Sequence, residues 1–161
     1  MGTLHVAAYH ADIARVRLLI SNGSQVDERD ERGYTPLLWS CFKGAVGDPA
    51  PVTEALIAAG ADPNAITSAG DSNCIMLAAQ SGSESAVAAV LDGGGLVDGS
   101  ADGVTALMVA ARAGNKPIVK LLLRMGADPS IKCGAYTAAH YAQYGGDDEL
   151  ADLISKAQPA N

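Results

Sequence analysis

Gly103-Val104-Thr105-Ala106-Leu107-Met108-Val109-Ala110-Ala111-Arg112-Ala113-Gly114 is the stretch whose reading decides the fold, together with its continuation Ile118-Val119-Lys120-Leu121-Leu122-Leu123 and Gly126-Ala127-Asp128. Thr105 stands before a run of helix formers, where its hydroxyl can accept from free backbone N–H groups, and Gly114 permits the left-handed turn that stops a helix. Asn115 then caps a second run with an apolar stripe at helical spacing, and Gly126 follows it. Two short helices and a turn cannot bury their apolar faces alone. Stacking such units in a row does.

The unit recurs. Taking Thr105 as the anchor, the equivalent positions are Gly2, Thr35, Asn73 and Thr137, roughly one period of about 33 residues apart. Nine positions beyond each anchor stand Ala11, Gly44, Gly82, Gly114 and Gly146, and the next position carries the N-cap residues Asp12, Ser83, Asn115 and Asp147. The second unit has Ala45 there, then extra residues within Ala45–Pro51, with Asp48-Pro49 or Ala50-Pro51 as a later helix start. That insertion is expected to bulge at the edge of the stack. The second helices show stripes such as Val16, Leu18, Leu19, Ile20 and Val87, Ala89, Val90, Leu91, and Leu121 and Leu122 are both expected to face neighbouring units. One domain over 1–161 is expected, with units at approximately 1–28, 29–65, 66–98, 99–130 and 131–161.

Thr35-Pro36-Leu37-Leu38-Trp39-Ser40-Cys41 and Thr105-Ala106-Leu107-Met108-Val109-Ala110-Ala111 resemble the TPLHxAA motif of the ankyrin repeat, and Gly60-Ala61-Asp62-Pro63-Asn64 resembles its GADxN element. The motif histidine survives as His5 and His140 and is Leu38, Met76 and Met108 elsewhere; GADxN is blurred in Gly94-Gly95-Leu96-Val97-Asp98. The resemblance covers essentially the whole chain. It implies an all-α ankyrin-repeat solenoid of stacked helix-turn-helix units joined by β-hairpin-like loops. It also implies a concave face, built from hairpin tips and the exposed side of each first helix, that binds another protein. Carried over by position, that face comprises Tyr9 and His10, then Arg29, Glu31, Arg32, Tyr34, Phe42 and Lys43, with Trp39 at its border. Further along it are Ser68, Asp71, Gln80 and Ser81, then Ala101, Asp102, Val104 and Arg112, and finally Cys133, Tyr136 and Tyr144. Phe42 and Trp39 are the chain's one Phe and one Trp. With Tyr9, Tyr34 and two arginines they give the first two units the composition of an interface hot spot.

Other chemistries find little support. A net charge of -7 and a pI near 4.7 oppose the phosphate neutralisation that nucleic-acid binding requires. Cys41, Cys74 and Cys133 form no CxxC pair, so no disulfide framework or zinc site is expected; Cys41 and Cys74 read as buried inert thiols and Cys133 as a more exposed one. His5, His10 and His140 lie far apart in the stack, and no acid/base pair or nucleophile triad emerges. The expectation is a cytoplasmic, monomeric, non-enzymatic chain without cofactor, metal or membrane attachment. The leading function is a scaffold or adaptor module. The alternatives are an inhibitory or immunity-like subunit that occludes a partner's active surface, and a spacer cut from a longer repeat array. Residues 46–110 contain eight acids and no Lys or Arg, so Asp71, Asp98 and Asp102 are expected to steer a basic partner surface.

Overall fold

The computed structural model describes residues 2–42 and 45–158. The chain forms helix pairs in sequence: α1 (Thr3–Tyr9) with α2 (Ile13–Ser21), α3 (Pro36–Ser40) with α4 (Ala50–Ala58), α5 (Cys74–Ser81) with α6 (Glu84–Asp92), α7 (Ala106–Arg112) with α8 (Lys116–Arg124), and α9 (Ala138–Tyr144) with α10 (Asp148–Lys156). First helices pack on first helices, in the order α1, α3, α5, α7, α9, and second helices on second helices from α2 to α8. Each pair touches its neighbours in the row, as a stack of units with incomplete individual cores must. Among the described residues no helix is long and apolar enough to cross a membrane.

The caps explain why the helices start where they do. Thr35, Asn73 and Thr105 accept the N–H of Leu38, Met76 and Met108, and Asp12, Ser83, Asn115 and Asp147 do the same for the second helices. Gly82, Gly114 and Gly146 take positive φ, and Ala11 adopts the same left-handed turn at φ 50 despite its Cβ. Gly44, the fifth expected stop, lies outside the described residues.

Between the pairs the chain makes tight reversals. The one before α7 is a two-stranded hairpin, β1 (Ser100–Ala101) with β2 (Val104–Thr105), and single bridges Ile66–Asn73 and Cys133–Tyr136 mark two others. The core between the helices is aliphatic and small, including Leu37, Leu56, Leu107, Met108, Ile118, Leu122 and Ile154, all essentially without exposure. Leu121, expected to be buried with Leu122, is only half-buried, because the helical stripe turns toward the edge of α8 at that position.

The insertion in repeat two does not bulge freely. Val46 N–H donates to Tyr9 O at 3.0 Å and Asp48 Oδ1 accepts from Ser85 Oγ at 2.9 Å, so the loop is fastened to the repeat on either side. Asp48 Oδ1 also accepts the N–H of Ala50 at 3.1 Å and so opens α4. Repeat three is equally regular despite its blurred motif: Asn64 Oδ1 accepts from Leu96 N–H at 2.8 Å and both oxygens of Asp98 accept from Asp128 N–H.

Candidate functional site: two aromatic clefts on the first-helix face

Positions one before, four after and seven after an anchor share one side of the first helix and the hairpin leading into it, because residues three and four apart stand on one helix face. In repeat two these positions hold Tyr34, Trp39 and Phe42. Their rings form a cluster: Tyr34 and Trp39 centroids lie 5.1 Å apart, Trp39 and Phe42 5.2 Å, and Tyr34 and Phe42 5.9 Å. Tyr9, from repeat one, meets Trp39 edge-on at 5.7 Å and 88°. The Arg32 guanidinium carbon stands 6.0 Å from the Trp39 ring centroid, within the range of a cation–π contact. Tyr9, Arg32, Trp39 and Phe42, with Val6, His10, Asp30 and Glu31, line an open cleft of about 580 Å³, and Tyr34 packs against the Trp39 and Phe42 rings beside it.

Trp39 is not a surface contact in its own right. It is 6% exposed and forms the floor of the cleft. Its Nε1–H donates to Asp30 Oδ2 at 2.8 Å, while Asp30 Oδ1 accepts the N–H groups of Arg32 and Tyr34 at 2.9 and 3.0 Å. Burial pushes the Asp30 carboxyl up, but these three donors outweigh it and hold it below its ordinary value of 3.8. Asp30 therefore organises the cleft, and nothing in its turn sequence distinguishes it from an ordinary solvated aspartate. Tyr34 is raised above the ordinary phenol value by burial, with Asp71 nearby adding to the shift.

The other nominated residues have varied surroundings. Arg29 is exposed, yet its Nη1 donates to Gly33 O at 2.7 Å and Ile66 O at 2.8 Å, bracing one hairpin against the next. Gly33, at φ 77, lies so close to Ser68 that a Cβ there would overlap its side chain. Asp71, Gln80, Ser81 and Asp102 are exposed, with Asp71 Oδ1 accepting from Thr67 Oγ1 at 2.6 Å. Ala101, expected on the surface, is buried at the strand pair, where its short side chain points into the stack. Lys43 lies outside the described residues. Asp98 belongs to the repeat-to-repeat contacts rather than to an exposed acidic field, because its carboxylate is taken up by Asp128 N–H. His5 is buried with Nε2 donating to Glu28 O at 2.9 Å, and His140 Nδ1 accepts the Thr137 N–H at 3.2 Å, so both rings hold local backbone in place.

The expectation that aromatic residues concentrate in the first two repeats is incomplete. The three offsets that carry Tyr34, Trp39 and Phe42 carry Tyr136, Tyr141 and Tyr144 in repeat five. A second cleft, also about 580 Å³, opens there between Arg112, Tyr136, His140, Tyr141, Gln143 and Tyr144. Arg112 lies 5.8 Å from the Tyr144 centroid, repeating the Arg–aromatic pairing of the first cleft. Tyr141 escaped the sequence reading, although comparing offsets between repeats two and five would have found it. Among the described residues no three His, Cys, Asp or Glu side chains gather as a metal-ligand set.

A family model described as ankyrin repeats in three copies matches residues 45–133 and 75–160, and one described as ankyrin repeats in many copies matches 4–48. The chain is 34% identical over 131 residues to ankyrin repeat and KH domain-containing protein mask-1 of Caenorhabditis elegans, covering 80% of this chain and 5% of that one. It is also 34% identical over 71 residues, 44% of each chain, to protein phosphatase 1 regulatory subunit 27 of Homo sapiens and of Mus musculus. The chain thus spans less than half the length of each of these relatives.

Proposed function

This chain belongs to the ankyrin-repeat family, whose repeats generally bind other proteins, and from that premise we propose that it is a non-enzymatic interaction module that holds a partner protein against its first-helix and hairpin face. The observation that carries this reading is the ring cluster of Tyr9, Tyr34, Trp39 and Phe42 under Arg32. Aromatic and Arg side chains that are preorganised by packing lose little freedom on binding, and they dominate measured interface hot spots. Tyr34, Phe42 and Arg32 supply the contacts, and Trp39 supplies the rigid floor. His10, Glu31, Asp71, Gln80 and Asp102 complete the surface, and the acid-rich middle favours a basic patch on the partner.

A regulatory variant of the same reading, in which the module occludes a partner's active surface, draws support from the similarity to a protein named as a phosphatase regulatory subunit. Capture from a native lysate followed by mass spectrometry tests the proposal. The expected result is one enriched partner whose binding weakens by more than about 1 kcal/mol, roughly five-fold, in Phe42→Ala, Tyr34→Ala or Arg32→Ala with the fold intact. Equal capture by all three variants would place the contact elsewhere.

A further inference from the structure

The two clefts share their ring positions and differ in charge. Asp30 and Glu31 border the first, whereas among the described residues no carboxylate lines the second. The second cleft is instead rich in donors. Arg112 lies against the Tyr144 ring and, among the described residues, has neither an ion pair nor a side-chain hydrogen bond, so the fork of its guanidinium is free. His140 Nδ1 is occupied as an acceptor by Thr137, which leaves the ring proton on Nε2 as a donor. Tyr136 and Tyr144 are 60% and 83% exposed, two large rings that remain mostly open to solvent.

We propose that this cleft binds a glutamate or aspartate side chain in an extended segment of a partner protein. The carboxylate sits on the Arg112 guanidinium, within reach of the His140 Nε2–H, and Tyr136 and Tyr144 cover the apolar residues beside it. A planar guanidinium already stacked on a ring meets a carboxylate in a charge-assisted, bidentate contact with little further ordering. This rests on the interaction-module reading and adds a polarity to it. Three repeat spacings of about 10 Å separate the clefts, which is roughly nine residues of extended chain at about 3.3 Å each. The partner segment then carries its acidic residue at the repeat-five end and its basic residues toward the acid-rich middle repeats.

The test uses the ¹⁵N-labelled full chain and three capped peptides, acetyl-Gly-Ser-Leu-X-Leu-Ser-Gly-amide with X as Glu, Gln or Arg, followed by two-dimensional NMR. The Glu peptide is expected to shift the Arg112 side-chain resonance and the backbone of residues 136–145. Binding should be at least about five-fold weaker for the Gln and Arg peptides, and weaker by a similar factor for the Glu peptide on Arg112→Gln. Arg112 is exposed at a helix end, so an unchanged melting curve for that variant is expected, and Arg32→Gln should leave Glu-peptide binding untouched. Equal binding of the Glu and Gln peptides, preference for the Arg peptide, shifts centred on residues 32–42, or no shift with any peptide would each overturn the proposal. If that happens while lysate capture still depends on Phe42 and Tyr34, the carboxylate site falls and the interaction module stands.

Discussion

Both carboxylate oxygens of Asp98 receive the backbone N–H of Asp128, at 3.1 and 3.2 Å. The same slot in earlier repeats does the same work: Asp27 takes the N–H of Asp62 at 3.2 Å on each oxygen, and Asn64 takes that of Leu96 at 2.8 Å while its Nδ2 donates to Gly94 O at 3.3 Å. These contacts form a ladder along the turns that follow the second helices. Burial raises the Asp98 carboxyl above its ordinary value of 3.8, with Asp128 nearby adding to the shift and its N–H opposing it.

Replacing Asp98 by Ala leaves the half-buried Asp128 N–H without a protein acceptor, and is expected to destabilise the stack by about 1–3 kcal/mol. Asp98→Asn should be neutral or slightly stabilising at pH 7, because it reproduces the Asn64 arrangement and carries no charge. The folded protein holds this proton more tightly than the unfolded chain does. Asp98 thus contributes a stability component that is greatest below pH 3.8 and declines as pH rises through the elevated folded value. Urea midpoints of wild type and Asp98→Asn, compared from pH 3.5 to 6, should therefore diverge with rising pH in favour of the variant; parallel curves would contradict this account.

Leu122 is fully buried between α8 and its neighbours, so Leu122→Ala is expected to cost roughly 2–5 kcal/mol through lost burial and a cavity. Leu121→Ala, at a half-buried position, should cost clearly less. Chemical denaturation of the two variants side by side checks the register of the helix.

Trp39→Phe removes the indole N–H that reaches Asp30 Oδ2. The Asp30 pKa should then rise toward 3.8, and stability should fall by about 1–3 kcal/mol at neutral pH. The lowered Asp30 value gives stability that is complete above pH 3.8 and lost as pH falls through the folded value, so the variant should lose its advantage over the unfolded chain at a higher pH than wild type does. Carboxyl-carbon NMR titration of Asp30 reads the shift directly.

Asp71 and Asp102 are exposed within the base-free stretch of residues 46–110. Association with the captured partner should slow as salt rises, since such fields are screened over about 8 Å at physiological ionic strength. Asp71→Asn combined with Asp102→Asn should slow association at low salt and leave dissociation nearly unchanged. An association rate that is flat across ionic strength would rule out steering.

The fold was legible because caps, stops and stripes repeat in register, and each is a local property. Thr105, Asn115 and Gly114 announce their roles from their neighbours alone. The sites were less so. Arg29 and Asp98 read as surface charges and prove to be braces, because their partners, Ile66 and Asp128, lie 37 and 30 residues away. Trp39 read as a border residue because it follows the motif's Leu37 and Leu38; the close approach of Tyr9, Tyr34 and Phe42 buries it. Tyr141 is hard to read from its own repeat, because the same offset holds the aliphatic residues Val6, Leu77 and Val109 elsewhere and the matching triad is three repeats away.

The two ends of this stack are held differently. The inserted loop couples repeat two at once to Tyr9 behind it and Ser85 ahead of it, and the Asp27, Asn64 and Asp98 rungs run as far as repeat four. Repeat five has no such rung among the described residues; it is held by packing of α9 on α7, by the Cys133 thiol donating to Asp102 O at 3.6 Å, and by Lys116 with Asp147 and Glu149 at 3.3 and 3.4 Å, solvent-accessible pairs of small value. Repeat five should therefore be the first part to open, in sub-global fluctuations that leave the preceding repeats folded. Arg112 stands on one side of that junction and Tyr144 on the other, so a ligand bridging them is also a clasp, and hydrogen exchange of α9 and α10 would slow when it is bound.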